Sequence, residues 1–182
     1  MNTRFSFTQT PPRLALAAFA IGASILGGHA GAAVGTATAS ASVLAPIVVS
    51  KTADLSFGKF AIGAGGTITI STSGVRTASG VVPSADTSAM TAAKFVVTGS
   101  KDATYSITHG GSTSLTRTSG SETMSLTKFS DLTAANATAG TATSGTLTTG
   151  TQSIYVGGTL TVAPNQAVGD YTGLVSIAVE YN

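Results

Sequence analysis

The sequence predicts an all-β protein built as an antiparallel sandwich or barrel. Short stretches in which apolar and polar residues alternate recur along the chain, the period-two signature of strands with one buried face. Gly-rich and Ser-rich turns separate them, and no long amphipathic helix intervenes. Composition agrees: Thr, Ser, Gly, Ala and Val dominate, only 9% of residues are charged, and Cys and Trp are absent. That is a strand-and-turn composition rather than a helical one. A length of 182 residues suits one domain.

In chain order, residues 1–32 read as a cleaved export signal. Arg4 and Arg13 supply a positive start, and Leu14 to Leu26 is an uncharged apolar run of signal-peptide length. Ala30-Gly31-Ala32 fits a small-residue cleavage site, with the cut expected after Ala32 and Ala30 as the alternative. Removing Arg4 and Arg13 from nine basic residues leaves seven, which balance the seven acids. A neutral mature surface argues against a nucleic-acid or anionic-membrane partner. A weakly charged, Thr-rich surface suits close packing against neighbours better than a free soluble enzyme. An exported chain without cysteine must draw its stability from its core rather than from disulfides.

After the cut, Ala33–Val49 alternates Ala37, Ala39, Ala41 and Val43 on one face with Thr36, Thr38, Ser40 and Ser42 on the other. This predicts a strand over Thr36–Val43, a break at Pro46 and a second extended piece over Ile47–Ser50. Residues 33–45 are therefore an N-terminal extension or first strand, and 46–182 the β-sandwich domain. Further strands are expected over Leu55–Phe60, Thr67–Ser71, Val75–Thr77 and Gly80–Val82. A short helical turn is expected within Ser84–Ala93. Lys94–Gly99 and Ala103–Thr108 predict a hairpin across Ser100-Lys101-Asp102. His109–Ser112 reads as loop, Glu122–Ser130 as a strand burying Met124, Leu126 and Phe129, and Ala134–Gly145 as a mobile low-complexity loop. Thr151–Val162 is a strand with a bulge or bend at Gly157-Gly158. Lys51, Lys59 and Lys128 are expected on solvent faces, discouraging edge pairing.

No catalytic constellation emerges. His109 is the one histidine beyond the signal. A Ser-His-Asp arrangement would have to use it with Asp102 or Asp131; a loop histidine beside Gly110-Gly111 is the plainer reading. Nucleophile-elbow and zinc-protease motifs are absent, as is an acidic calcium loop. The expectation is a protein that is not an enzyme, with no cofactor, metal or small-molecule substrate.

The most regular pattern lies at the C-terminus. Gly169, Tyr171, Gly173, Val175, Ile177, Val179 and Tyr181 fall on one face of a terminal strand. With Tyr181 penultimate and Gly169 fourteenth from the end, this stretch resembles the last strand of chaperone–usher pilus subunits. Leu55-Ser56-Phe57-Gly58 is similar to the L-x-F-G stretch after their first strand.

The resemblance implies an immunoglobulin-like sandwich lacking one strand and completed by a donor strand. It implies a structural subunit of a bacterial surface fibre (a fimbria), of the kind that serves cell adhesion, exported through the periplasm to the cell surface. Its partners would be a periplasmic chaperone, an outer-membrane usher and copies of itself. Gly169 to Tyr181 would be the chaperone and assembly strand, and Ala37, Ala39, Ala41 and Val43 the donor residues. The chain departs from many such subunits in lacking a disulfide, and its donor is mostly Ala. Either the acceptor groove is shallow, or Thr36–Val43 is the domain's own first strand. In the second case the protein is a self-complete secreted binding or matrix module.

Overall fold

A computed structural model describes residues 31–87 and 89–182. The expected signal therefore lies outside the described residues except for Gly31 and Ala32. Residues 31–40 contain no strand and carry exposed side chains. Residues 41–182 form a separate unit, in which the strands begin at Val48 and no helix occurs among the described residues.

The strands are β1 (Val48–Ala53), β2 (Ser56–Phe57), β3 (Phe60–Ala61), β4 (Gly66–Ile70), β5 (Arg76–Ser79), β6 (Val82–Pro83), β7 (Met90–Thr91) and β8 (Ala93–Thr98) in the first half. The second half holds β9 (Thr104–Gly111), β10 (Ser114–Arg117), β11 (Thr123–Asp131), β12 (Ser144–Thr146), β13 (Thr151–Val162), β14 (Tyr171–Thr172) and β15 (Val175–Tyr181). A large antiparallel sheet runs β1-β8-β13-β11-β10-β14, with β4 and β5 attached through β13. A small sheet runs β12-β9-β15, and the pairs β2-β7 and β3-β6 stand apart. The architecture is the all-β, antiparallel, sandwich-like one that the alternation predicts.

The core has two lobes. In the first, Ala93, Phe95, Val97, Ile154 and Val156 of the large sheet meet Tyr105, Ile107 and Ile177 of the small sheet, with Leu147 between. In the second, Ile68, Ile70, Met124, Leu126, Leu160 and Val162 of the large sheet are covered by Phe57 and Val81. The long strand β13 contributes to both, and its pairing explains how. Thr151–Val156 pairs with β8 and Gly158–Val162 with β4 on the same edge, while β11 pairs along the other.

Gly157 and Gly158 sit at this exchange of neighbours. The register there is unbroken, so the predicted bulge is absent. The glycines are needed for space instead. A Cβ at Gly157 would lie 2.2 Å from the Phe129 ring and 2.5 Å from the Ile70 carbonyl oxygen.

Several local expectations are corrected. Thr36–Val43 is not a strand in this chain, and the side chains of Ala37, Ala39, Ala41 and Val43 are exposed. Alternating Ala and Thr mimics the strand period, yet a methyl group brings little burial to hold such a strand down. Leu55–Phe60 splits into β2 and β3 around Gly58, whose φ is +68°. Among the described residues of Ser84–Ala93 no helix is present; the Met90 N–H closes a single turn onto the Thr87 carbonyl, and Met90–Thr91 pairs with β2.

Lys94–Gly99 and Ala103–Thr108 do not form a hairpin. β8 pairs with β1 and β13, and β9 with β12 and β15. Both segments bury alternate residues, but in opposite sheets, so the chain arches across the sandwich between them. His109 lies in β9 rather than in a loop. The predicted terminal strand is two pieces: Tyr171–Thr172 joins the large sheet through β10, and Val175–Tyr181 joins the small one.

Ala134–Gly145 is not a free loop. Asp131 Oδ1 accepts from the backbone N–H of Thr133 and Ala134, and Oδ2 from that of Ala135 and from the Thr72 hydroxyl. Thr72 Oγ1 accepts in turn from the N–H of Ala137, and Ser130 N–H donates to the Gly140 carbonyl. Burial alone would raise the Asp131 pKa, but these hydrogen bonds together outweigh it and hold the carboxyl below its ordinary range.

Candidate assembly groove

The small sheet has three strands and covers only part of the large one. Beside β15 an apolar groove of about 1020 Å³ opens over the large sheet. One wall is the segment from Lys51 to Ile62, the other the segment from Gln166 to Val175, and Ala93, Phe95, Leu115, Met124, Leu126 and Leu160 lie along it. The groove therefore draws on both core lobes.

Local sequence shapes each wall. In β1 the pairing with β8 slips between Lys51 and Ala53, leaving Thr52 as the extra residue of a bulge. A bulge bends its strand and sharpens its twist, and this one lies where the groove begins. Downstream, Arg76 fastens the wall by donating to the carbonyls of Phe57, Lys59 and Ser84. Lys51 is paired with Asp54 at 2.5 Å, and both are largely exposed.

The opposite wall begins at Gly169. Its φ is +152°, and a Cβ there would lie 2.7 Å from Arg117 Nε. Both facts explain a glycine. Tyr171 is half-buried and stitches its own loop, its hydroxyl donating to the Ala167 carbonyl and accepting from Gln166 Nε2. Gly173, between β14 and β15, lets the chain pass Leu115, whose Cδ2 would be 2.7 Å from a Cβ. This wall also presents large apolar side chains to solvent: Val168 is 82% exposed and Leu174 74%.

β15 carries the predicted face as Val175, Ile177, Val179 and Tyr181, with Ser176, Ala178 and Glu180 exposed between them. It hydrogen-bonds to β9 on one edge, and among the described residues no strand hydrogen-bonds to its other edge. Among the described residues β1 is likewise hydrogen-bonded on one edge alone, to β8. The start of β15, at Val175, and the end of β1, at Lys51 and Ala53, thus border the apolar groove. At the far end of β15 the cleft closes: Ile47, Val49, Val179 and Tyr181 all pack against the first core lobe.

Tyr181 does more than pack. Its hydroxyl accepts from the N–H of Ser100 at 2.7 Å and donates to the carbonyl of Ala45 at 2.9 Å. The N–H of Ala45 donates to Ser100 Oγ at 2.7 Å. Gly99 leaves the space, since a Cβ there would be 2.2 Å from the Tyr181 hydroxyl oxygen. Upstream of this point, residues 41–44 are exposed and in no strand, Val43 at 94%.

The sequence singled out Gly169, Tyr171, Gly173, Val175, Ile177, Val179 and Tyr181 together. The structure brings Gly169, Tyr171, Gly173 and Val175 to the groove wall, while Ile177, Val179 and Tyr181 lie beyond it. Arg76, Val168 and Leu174 were missed. Val168 and Leu174 fall outside the alternation, and an arginine that binds three carbonyls leaves no sequence spacing to detect.

The histidine site has another role. His109 Nε2 lies 2.8 Å from the Ala142 carbonyl oxygen and 3.1 Å from Ser130 Oγ. A carbonyl only accepts, so Nε2 carries the hydrogen and is not the free lone pair that a general base toward Ser130 requires. Ser130 Oγ also accepts from the N–H of Ala142. Asp131 is engaged by Thr72 and its own loop, and exposed Asp102 lies 4.0 Å from Lys101. The three groups act as a latch on the β11–β12 connection. Lys128, expected on a solvent face, instead reaches the Gly110 carbonyl at 2.6 Å, and partial burial lowers its pKa.

The family model described as a domain of unknown function (DUF4402) matches residues 47–181. The match starts two residues after Ala45. No curated protein matches the chain.

Proposed function

The chain belongs to that family of unknown function, and from its own geometry we propose that it is a structural subunit of a bacterial surface fibre, joined to its neighbours by strand addition. The observation that carries this is the apolar groove bordered by β15 and β1, each hydrogen-bonded on one edge alone among the described residues. An added strand would satisfy the β15 backbone and cover the groove with alternate side chains. Open edges beside exposed apolar surface are otherwise an aggregation hazard. The segment 33–44 supplies such a strand, exposed in this chain and alternating in pattern. Each contact would be head-to-tail and would not close, so copies would add into a filament. Export through the periplasm, with a chaperone covering the groove and an outer-membrane usher assembling subunits, belongs to the same proposal.

Small donors fit this groove. Phe57, Ala93, Phe95, Met124, Leu126 and Leu160 line it yet are already buried, so it is broad rather than deep. Each inserted Ala methyl contributes about 0.8 kcal/mol. The remainder of the joint would come from backbone hydrogen bonds to the strand edge, about 1 kcal/mol each.

The same burial favours the second reading, a self-complete secreted binding or matrix module, because the side chains of both core lobes are buried without a donor. Chain 33–182 and a version lacking residues 33–43 separate the two readings. The fibre reading expects heat-sensitive ladders on gels from the first and none from the second. A soluble monomer whose state is independent of concentration, with or without residues 33–43, refutes it and favours the self-complete module.

A further inference from the structure

We propose that a small cavity on the other face of the large sheet, walled by Lys94 and Tyr155, binds a small carboxylate with a compact apolar body. The site is separate from the assembly groove and does not depend on the strand-addition reading.

Alternation puts it there. Ala93 and Phe95 of β8 and Ile154 and Val156 of β13 pack toward the small sheet, so Lys94 and Tyr155, which lie between them in sequence, point away from it. The two are directly paired across the strands, and Lys94 Nζ lies 5.3 Å from the centre of the Tyr155 ring. A cavity of about 280 Å³ opens beside them. At about 30 Å³ per water it has room for about nine waters, which suits a ligand of about ten non-hydrogen atoms.

Hydrogen bonds fix its walls. On one side the turn at residues 71–75 is tied to the loop after β11. Thr72 Oγ1 donates to Asp131 and accepts from the Ala137 N–H, and Ser73 Oγ donates to Asn136 Oδ1. Ala134 lines the cavity with a φ of +53°, its N–H held by Asp131. An alanine adopts that conformation when its surroundings impose it. On the other side Thr91 Oγ1 donates to the Asp54 carbonyl. A site held in shape this way binds without having to order its own loops.

The lining selects the ligand. Ala53, Met90, Ala92 and Ala134 offer it apolar contact. Among the described residues neither Lys94 Nζ nor the Tyr155 hydroxyl makes a hydrogen bond, and Lys94 joins no ion pair. The nearby acids are engaged elsewhere: Asp54 pairs with Lys51, and Asp131 accepts four hydrogen bonds. Two donors, one of them charged, suit a carboxylate, whose two oxygens accept one bond from each. The ammonium repels a cationic ligand, and a wholly apolar one would desolvate both donors without replacing their water.

Equilibrium dialysis of chain 33–182 against radiolabelled phenylacetate tests this, and it reads binding by monomer and fibre alike. Saturable binding is expected, about tenfold tighter than that of phenylacetamide, which lacks the charge, or of acetate, which lacks the apolar body. Lys94→Met should weaken phenylacetate about tenfold and Tyr155→Phe about fivefold. Lys94→Arg, which keeps the charge, should retain most of the affinity, and Leu174→Asp in the assembly groove should leave it unchanged. Absence of saturable binding, equal binding of acid and amide, or parental affinity in Lys94→Met overturns the site. A loss in Lys94→Arg as large as in Lys94→Met overturns the role of the charge. A loss in Leu174→Asp places the ligand in the groove and overturns the assignment.

Discussion

Replacing Asp131 by Ala should destabilise the fold by about 3 kcal/mol, through the loop that follows β11. The carboxylate accepts four hydrogen bonds, three from the backbone of Thr133, Ala134 and Ala135 and one from Thr72. Hydrogen bonds to a charged group contribute about 1.5–3 kcal/mol each, but the loop N–H groups regain water when released. Thr72 does not, being 1% exposed, and a buried hydroxyl left without its acceptor costs about 1–3 kcal/mol. Asp131→Asn keeps one acceptor oxygen and should cost about 2 kcal/mol. Urea unfolding of dilute chain 33–182 at neutral pH reads both as a fall in midpoint at constant slope. The folded pKa of Asp131 lies below its unfolded value. Its contribution is therefore complete above the ordinary aspartate value of about 3.9 and is lost as the pH falls through the folded value. The gap between parent and Asp131→Ala should accordingly narrow in acid, toward the part that a neutral acceptor keeps. A loss within about 0.5 kcal/mol at neutral pH, the range of an ordinary surface change, would refute the reasoning, as would a gap that is undiminished in acid.

Three further outcomes follow from local geometry. Tyr105 is fully buried and its hydroxyl has no hydrogen-bond partner among the described residues, so Tyr105→Phe should leave stability unchanged or raise it by about 1 kcal/mol in the same urea assay. Gly157→Ala should cost about 2–3 kcal/mol, because the Ile70 carbonyl 2.5 Å from the new Cβ is backbone and cannot swing aside; its thermal midpoint should fall while that of Gly158→Ala, with no contact under 3.0 Å, falls less. Leu174→Asp on the groove wall should change the stability of the isolated chain by no more than about 0.5 kcal/mol yet abolish ladders on unheated gels, since a buried charge would face the incoming strand.

What the sequence revealed depended on which physical constraint leaves a local trace. Strands with one buried face do: β11, β13 and β15 follow from Met124, Leu126, Ile154, Val156, Val175 and Ile177 alone. Pairing does not. Phe95 and Val97 alternate as Tyr105 and Ile107 do, and nothing in either pattern says that they face each other across the core rather than lie side by side. β10 and β12 escaped because they are short and rich in Ser and Thr, held by their neighbours' ladders rather than by apolar burial. Thr36–Val43 misled for the converse reason, with period but without bulk. The groove was legible only in its glycines and in β15. Its other wall is made by the bulge at Thr52 and by Arg76, which act through backbone carbonyls distant in sequence.

β13 also sets an order of events for the nascent chain. It is the middle of the large sheet, joining β8 and β4 on one edge to β11 on the other. Its partners lie far upstream; Gly158, for example, meets Ile70. Until residue 162 is available, β8 and β11 have nothing between them, and most of both core lobes has no scaffold. Distant pairings of this kind close slowly, because the loop entropy is lost before the contacts form. The first 150 residues should therefore emerge without stable tertiary structure, which leaves their apolar strands in need of protection until β13 arrives.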